Sequence, residues 1–299
     1  MDMESQNRPE TEQEQPRYPA YPAFSGPRFP INFKTIALFL GLFSATVFTT
    51  WWVGGPWYSF GLILILGTHE FGHYWACRVN NVNSSLPNFL PVPPIPYFLN
   101  IGTMGAFIMI REPIPNRKAL MEIGASGPIA GFMVAVPVLW VGLMNSQMSL
   151  GSASEGPNLF FGSSLILWAM TEAVLGVNPM VTDVTISLHP LAYAGWLGMF
   201  FTALNLLPLG QLDGGHVVYS LFNRKLSLWA ARIFFVALIA LGFYWAGWWF
   251  WAGLVLILGL RHPPVLDEAT PLEPKHRVIG YASLLILILT FVPMPFGVS

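Results

Sequence analysis

The chain has 299 residues, of which 54 % are hydrophobic and 10 % charged, with a formal net charge of -1. An average soluble domain carries about 25 % charge, so this composition and a mean hydropathy of +0.55 exclude an extensively disordered chain and argue against a soluble globular one. Scattered Lys and Arg give no surface for nucleic acid, and a single cysteine, Cys77, excludes an internal disulfide. The expected class is an all-α polytopic membrane protein.

Residues 1–33 stand apart. They hold eight charges and six prolines with few aliphatic side chains, too little apolar surface to offset ordering entropy, and are expected to form a disordered polar N-terminal tail. No charged start leads into a short apolar core with a cleavage site, so the segment does not read as a signal peptide. Residues 34–299 form the expected transmembrane domain, with its core at 57–222.

A span needs about 20 apolar residues. Candidates are Ile36–Val53, Trp57–Arg78, Glu122–Met144, His189–Phe222 with a break at Asn205–Gly215, Leu228–Leu260 split near Gly242–Gly247, and Val278–Phe296. That makes about 6–7 transmembrane helices. Leu86–Ile110 opens with Pro87, Pro91, Pro93, Pro94 and Pro96, so it is not helical. Its end, Ile101–Ile110, reads as strand with glycine-containing turns, and irregular backbone at membrane depth is tolerated where it lines a protein cavity. Phe160–Leu175 is short and contains Glu172, which favours a re-entrant or interfacial segment.

Basic residues set the orientation. Arg28 and Lys34 precede the first span; Arg78, Arg111, Arg117 and Lys118 lie between the second and third; Arg224, Lys225 and Arg232 follow the fourth; Arg261, Lys275 and Arg277 precede the last, while 145–188 has no Lys or Arg. With 160–175 not spanning, every basic loop falls on the cytoplasmic side.

Ionisable groups inside the apolar runs carry the functional argument. His69-Glu70-Phe71-Gly72-His73 lies in the second span. Residues four apart share a helix face, so His69 and His73 can turn ring nitrogens to one metal ion, with Glu70 beside them as a general base, the arrangement of zinc proteases. Each central charge costs roughly 2.5–3.5 kcal/mol on insertion scales, so such residues are rare in spans and mark function. A catalytic zinc needs a third protein ligand. Cys77 lies about 12 Å along the helix from His69, too far to close on the same ion, and reads as a packing residue. Glu172 falls on the other side of the membrane. Asp213 is the only acid between Asp183 and Asp267, within Asn205-Leu-Leu-Pro208-Leu-Gly-Gln-Leu-Asp213-Gly214-Gly215-His216, where Pro and Gly break the helix and free backbone to shape a site. His73 and Asp213 both precede basic loops, so both belong to the cytoplasmic half. His216 reads either as an outer partner of the site or as an ordinary satisfied histidine. His189 and His262 precede prolines at span ends, and His276 falls in a charged loop.

These residues resemble the site-2 protease family of intramembrane zinc metalloproteases, in a compact branch without a PDZ module that looks nearer the bacterial and chloroplast forms. The resemblance rests on His69-Glu70-x-Gly72-His73 in one span and Asn205-x-x-Pro208 followed by Leu212-Asp213-Gly214 in a later one. It implies one Zn2+ held by His69, His73 and Asp213, with Glu70 activating water. Gly102-Thr103-Met104-Gly105-Ala106 is similar to the family's membrane-dipping β-hairpin, so Gly102, Thr103, Gly105 and Ala106 are candidate substrate-binding residues. Asn205 would position substrate or stabilise an oxyanion, and Gly124-Ala-Ser-Gly127-Pro128 resembles the glycine-rich start of the family's next core span. The expected activity is hydrolysis of peptide bonds within or next to transmembrane segments of membrane-anchored substrates. The expected location is a bacterial cytoplasmic (inner) membrane with the site toward the cytoplasm. A multi-pass metal transporter is the alternative, disfavoured because the other spans are nearly free of ionisable groups. Prenyl-protein proteases share the His-Glu-x-x-His run but take a Glu as the further ligand.

Overall fold

The computed structural model of the chain describes residues 29–94, 101–150, 159–177 and 184–298; the expected tail lies almost wholly outside them. Helix α1, Phe33–Val79, opens on a capping box between Asn32 and Thr35 and doubles back at Gly55. The turn requires glycine, because φ is 77°, a region that L side chains rarely adopt. Pro56 restarts the helix where no N–H partner is needed. Ser59 Oγ donates to the Val47 carbonyl at 3.1 Å and lies 2.7 Å from Thr50 Oγ1, pairs that a straight helix would hold roughly 13–18 Å apart. The two arms of α1 thus cover the two segments, 36–53 and 57–78, expected as the first spans.

Strands β1, Asn88–Pro91, and β2, Thr103–Phe107, pair antiparallel with Phe89 opposite Ala106 and Pro91 opposite Thr103. Phe89 is buried edge-on against Phe43 at 5.3 Å. Gly102 lies against the first arm of α1, where an added Cβ would stand 2.8 Å from Thr50 Cα. Thr49 Oγ1 donates to the Gly102 carbonyl at 2.6 Å, and the Tyr58 hydroxyl to Ile101 at 2.7 Å. The hairpin is therefore fastened to α1 through the backbone carbonyls of Ile101 and Gly102, the second of which also accepts from the Val92 N–H at 3.1 Å.

Helix α2, Arg117–Met144, packs against α1 and against α4, Pro190–Leu206. Small residues bring these helices together, as in membrane bundles. A Cβ on Gly142 would lie 2.2 Å from the Ala192 nitrogen, and one on Gly195 2.8 Å from Leu139. Gly142→Ala is expected to destabilise the fold by about 1–3 kcal/mol, because the opposing atom is backbone and cannot rotate away; thermal unfolding in detergent checks it.

The fourth expected span is divided as foreseen: α4 stops at Leu206 and α5 runs from Asp213 to Leu221. Helices α6, Arg224–Leu241, and α7, Gly247–Leu258, follow the split near 242–247, and α8 covers Pro274–Thr290. Among the described residues two helices, α1 and α2, are long and apolar enough to cross a bilayer; the later ones have 17, 18, 12 and 17 residues for α4, α6, α7 and α8.

Several elements differ from expectation. Between Phe160 and Leu175 only Leu165–Leu175 is helical (α3), capped by Ser164 and ended by Gly176 in the left-handed region. Eleven residues reach about 16 Å, half of a hydrocarbon core. Short strands surround it: β3, Gln147–Leu150, pairs with β5, Val184–Ser187, and β4, Leu159–Phe161, with β6, Phe296–Val298. The last span was expected to reach Phe296. It stops at Thr290, because Pro293 and Pro295 cannot continue the helical bonding. His276 is not in a loop but is buried in the first turn of α8, with Nε2 3.0 Å from Glu122 Oε1.

One end of the bundle gathers the basic segments. Arg117 donates to the carbonyls of Ser220 and Phe222. Lys118 lies 2.6 Å from Glu273, and that ammonium, with Lys275, holds the Glu273 carboxyl at about 2. Aromatic packing of Trp196, Phe161, Phe296 and Trp248 closes the opposite end.

Candidate metal centre

The second arm of α1 presents His69, Glu70 and His73, each nearly inaccessible to solvent. Asp213 comes from the other half of the chain, as the first residue of α5. The glycines around it make that position possible. Gly210 has φ 48°, and a Cβ on Gly214 would collide with the Leu206 carbonyl, one on Gly215 with the Gly210 carbonyl. The 207–212 segment thus folds tightly onto the start of α5 and aims Asp213 at the two histidines.

The donor atoms form a compact triangle. His69 Nε2 and His73 Nε2 are 3.0 Å apart, and Asp213 Oδ2 is 3.3 Å from the first and 3.2 Å from the second. Ligands about 2.0–2.1 Å from a tetrahedral zinc stand roughly 3.3–3.4 Å from one another. The triangle therefore matches one face of such a tetrahedron and leaves the fourth corner open. His73 Nδ1 lies 2.7 Å from the Ile123 carbonyl. A carbonyl only accepts, so Nδ1 carries the proton, and in the neutral ring Nε2 keeps its lone pair for a metal.

Helix α2 supplies the space. A Cβ on Gly127 would lie 2.1 Å from His73 Nε2, one on Gly131 3.2 Å from His69, and one on Gly72 2.7 Å from the Ser126 carbonyl. The glycines recur on one face of α2 and let its backbone ride directly over the imidazoles. Gly124 does the same for His216, whose Cβ would be 2.4 Å away.

A cavity of about 190 Å³ opens over the triangle, lined by Glu70, Asn205, Ala106, Ile108, Gln211 and His216 among others. Asn205 Nδ2 is 3.3 Å from His69 Nε2. A larger hollow, about 400 Å³, lies on the outer side of the α1 hairpin between Trp51 and Phe60 and contains no ionisable group; it is not the site.

Of the residues singled out in sequence, His69, Glu70, His73, Asp213, Asn205 and Ala106 converge on this cavity. Gly105 borders an adjoining one. Gly102 and Thr103 do not reach it: Gly102 packs on α1, and Thr103 Oγ1 donates to the Leu90 carbonyl. Cys77 is buried with Ala76, Val82 and Ile123 as a packing residue, and Glu172 is exposed on α3. His216 Nδ1 lies 2.6 Å from His262 Nε2, a pairing that no local pattern announces because 46 residues separate the two rings. The role of the Ile123 carbonyl is likewise invisible in sequence, whereas the spacing of Gly124, Gly127 and Gly131 is a signal that close packing could have been read from.

The model of Peptidase family M50 matches residues 57–244. The chain belongs to that family. The M50 match begins at the restart of α1 after Gly55 and takes in both halves of the site, and a member of this family is membrane-embedded. Between β2 and Asp213 the M50 core is filled by α2 to α4 and short strands, consistent with a branch lacking a PDZ module. Among curated relatives, "Probable zinc metalloprotease EGY1, chloroplastic" is 30 % identical over 240 residues in Oryza sativa subsp. japonica and 31 % over 242 residues in Arabidopsis thaliana, each alignment covering 79 % of this chain. "Probable zinc metalloprotease EGY2, chloroplastic" of Oryza sativa subsp. indica is 31 % identical over 245 residues, covering 78 % of this chain. The chain spans about two-fifths of the length of these relatives, 40–42 %. Their names are chloroplastic and give the expected bacterial inner membrane no support.

Proposed function

We propose that this M50 member is an intramembrane zinc metalloprotease that hydrolyses peptide bonds within or next to the transmembrane segments of membrane-anchored substrates. The observation that carries the reading is the triangle of His69, His73 and Asp213, with edges of 3.0–3.3 Å, formed by residues 140 positions apart in an apolar chain. These three would hold one zinc ion. Zinc bound there supplies Lewis acidity and lowers the pKa of water toward 7.

Glu70 takes the proton from the attacking water and delivers it to the leaving amide nitrogen. Asn205, beside His69, orients the substrate carbonyl. A transmembrane helix hides its own carbonyls in hydrogen bonds, so substrate must unwind locally. The β1–β2 hairpin, dipping into the membrane, offers β2 as an edge for main-chain pairing, with Gly105 and Ala106 nearest the chemistry; Gly102 and Thr103 act by fixing the hairpin. Residues 34–299 form one domain of about 6–7 spans with its core at 57–222, and residues 1–33 a polar tail. The active site opens toward the side that carries the basic loops. The family and the named relatives give the transporter alternative no support.

Asp213→Ala tests the ligand set. Bound zinc is expected to fall from one per chain to well below half, measured by elemental analysis of purified protein, and cleavage of a transmembrane reporter in proteoliposomes to disappear with it. One zinc per chain in that variant would remove Asp213 from the ligand set. A protein that cuts the reporter after metal removal would overturn the metalloprotease reading.

A further inference from the structure

Two histidines from distant parts of the chain meet beside the site. His216, on α5, places Nδ1 2.6 Å from Nε2 of His262, and His262 Nδ1 bonds the Pro263 carbonyl. The segment that carries His262 is fastened in place. A Cβ on Gly210 would stand 2.0 Å from the Gly259 carbonyl. The N–H groups of Leu266 and Asp267 donate to the carbonyls of Ile114 and Pro115, and the Tyr219 ring lies 4.8 Å from the His262 ring. His262 is buried, and it lies beyond the 57–244 segment that the family model matches.

This chain of bonds fixes where the protons stand. A carbonyl only accepts, so His262 Nδ1 carries a proton, and in the neutral ring its Nε2 is a lone pair. That lone pair accepts from His216, so His216 Nδ1 is the protonated nitrogen there. The neutral His216 ring is left with a bare Nε2. Among the described residues this nitrogen has no hydrogen-bond partner, yet it is not sealed in: the buried unpartnered side-chain atoms are Ser84 Oγ, Ser220 Oγ and His276 Nδ1. Gly124 of α2 covers the His216 Cβ, and His262 covers Nδ1. The edge that His216 contributes to the lining of the catalytic cavity is therefore the one that carries Nε2.

We propose that His216 is a substrate-binding residue: its Nε2 accepts a hydrogen bond from a backbone N–H of the unwound substrate next to the scissile bond, and His262 is the positioning residue that holds it in the accepting form. The inference rests on the proteolytic reading. The cavity is bordered by the hairpin segment at 106–108 and by 211–213 with His216. A strand paired along β2 turns every second set of its peptide groups away from the hairpin. Those N–H groups lost their helical partners on unwinding, and a bare N–H at membrane depth is costly. Asp213 belongs to the metal triangle and Glu70 serves the attacking water, whereas Asn205 and Gln211 carry amides that donate as well as accept. Of the lining side chains, His216 is the one left that only accepts.

The test uses full-length zinc-loaded protein in proteoliposomes and a synthetic transmembrane reporter with a mapped cleavage site. The two peptide bonds on each side of the scissile one are replaced, one at a time, by esters, each of which removes a single N–H. One of these esters is expected to lower kcat/KM by about tenfold, the size of one hydrogen bond. His216→Phe should lower cleavage of the all-amide reporter by a similar factor while keeping one zinc per chain, and should cleave that one ester as the unsubstituted protein does. His262→Phe should weaken cleavage of the all-amide reporter in the same direction. NMR of nitrogen-labelled histidines, with His216→Phe identifying the signal, should show His216 protonated at Nδ1 and bare at Nε2, and His262→Phe should shift it toward the other tautomer. A proton on Nε2 in the unsubstituted protein overturns the acceptor role. So does a His216→Phe loss that is equal on every ester, which would place water and not substrate at Nε2. So does a set of esters that are all cleaved like the amide, an outcome readable even where His216→Phe fails to fold. Each of these leaves the protease standing where cleavage is lost in Glu70→Gln, whereas no zinc-dependent cleavage of any reporter overturns both readings.

Discussion

Replacing Glu70 by Gln is expected to lower cleavage of a transmembrane reporter by about 10²–10⁴-fold, the usual contribution of a positioned acid–base group, while one zinc per chain remains. The expectation follows from where Glu70 sits. It follows His69 directly on the same helix, it is buried, and it borders both cavities, yet it is not among the three groups whose ligand atoms lie within 4.8 Å of one another. Gln keeps the shape and the capacity for hydrogen bonds but cannot accept a proton at physiological pH. Burying a neutral amide costs less than burying a carboxylate, so thermal stability in detergent should hold or rise. Loss of zinc in this variant would make Glu70 a ligand, and undiminished cleavage would move the base to another residue.

The parts of the site that could be read from the sequence are those set by local spacing or by chemical rarity. His69 and His73 are four apart on a helix, which alone puts two imidazoles on one face. Asp213 is an isolated acid in an apolar stretch broken by Pro208 and three glycines, a combination that core packing does not explain. The breaks at Gly55, at 207–212 and at 242–246 were legible for the same reason, since Gly and Pro act on the backbone where they stand. Strands β3 to β6 were not legible. They are three or four residues long and pair across long intervals, Gln147 with Ser187 and Phe161 with Phe296, and so short a run carries no period to detect. His276 was misplaced because Lys275 and Arg277 beside it suggested a solvated loop. Its ring turns inward to Glu122, and the amide of Asn80 donates to the other oxygen of that carboxylate at 2.8 Å, so the end of α1, the start of α2 and the start of α8 meet on a single side chain.

Gly127→Ala should expel the metal without unfolding the chain, although the substitution touches no ligand. The added methyl would stand 2.1 Å from His73 Nε2 and 2.4 Å from its Cδ2, against a comfortable separation of about 3.5–4.0 Å. Two movements could relieve the overlap. Helices α1 and α2 could part, but they are packed so closely that a Cβ on Gly72 would stand 2.7 Å from the Ser126 carbonyl on the same contact, and separation would open voids along the whole packed face. The cheaper movement is rotation of the His73 ring, which breaks its bond to Ile123 and carries Nε2 out of the triangle. Zinc affinity is then expected to fall more than about 100-fold, beyond the 10–100-fold typical of losing an outer partner of a ligand. Helix propensity works the other way, since Ala favours an interior helical position over Gly by about 1 kcal/mol; helicity by circular dichroism should therefore be kept while zinc is lost. The neighbours grade the effect. Gly131→Ala places its methyl 3.2 Å from His69 and should weaken zinc binding far less, and Gly41→Ala, with nothing within 4 Å, should not change it. Chelator competition on the three variants measures the order, and equal zinc affinity for Gly127→Ala and Gly41→Ala would show that the glycine face of α2 does not hold the imidazoles in place.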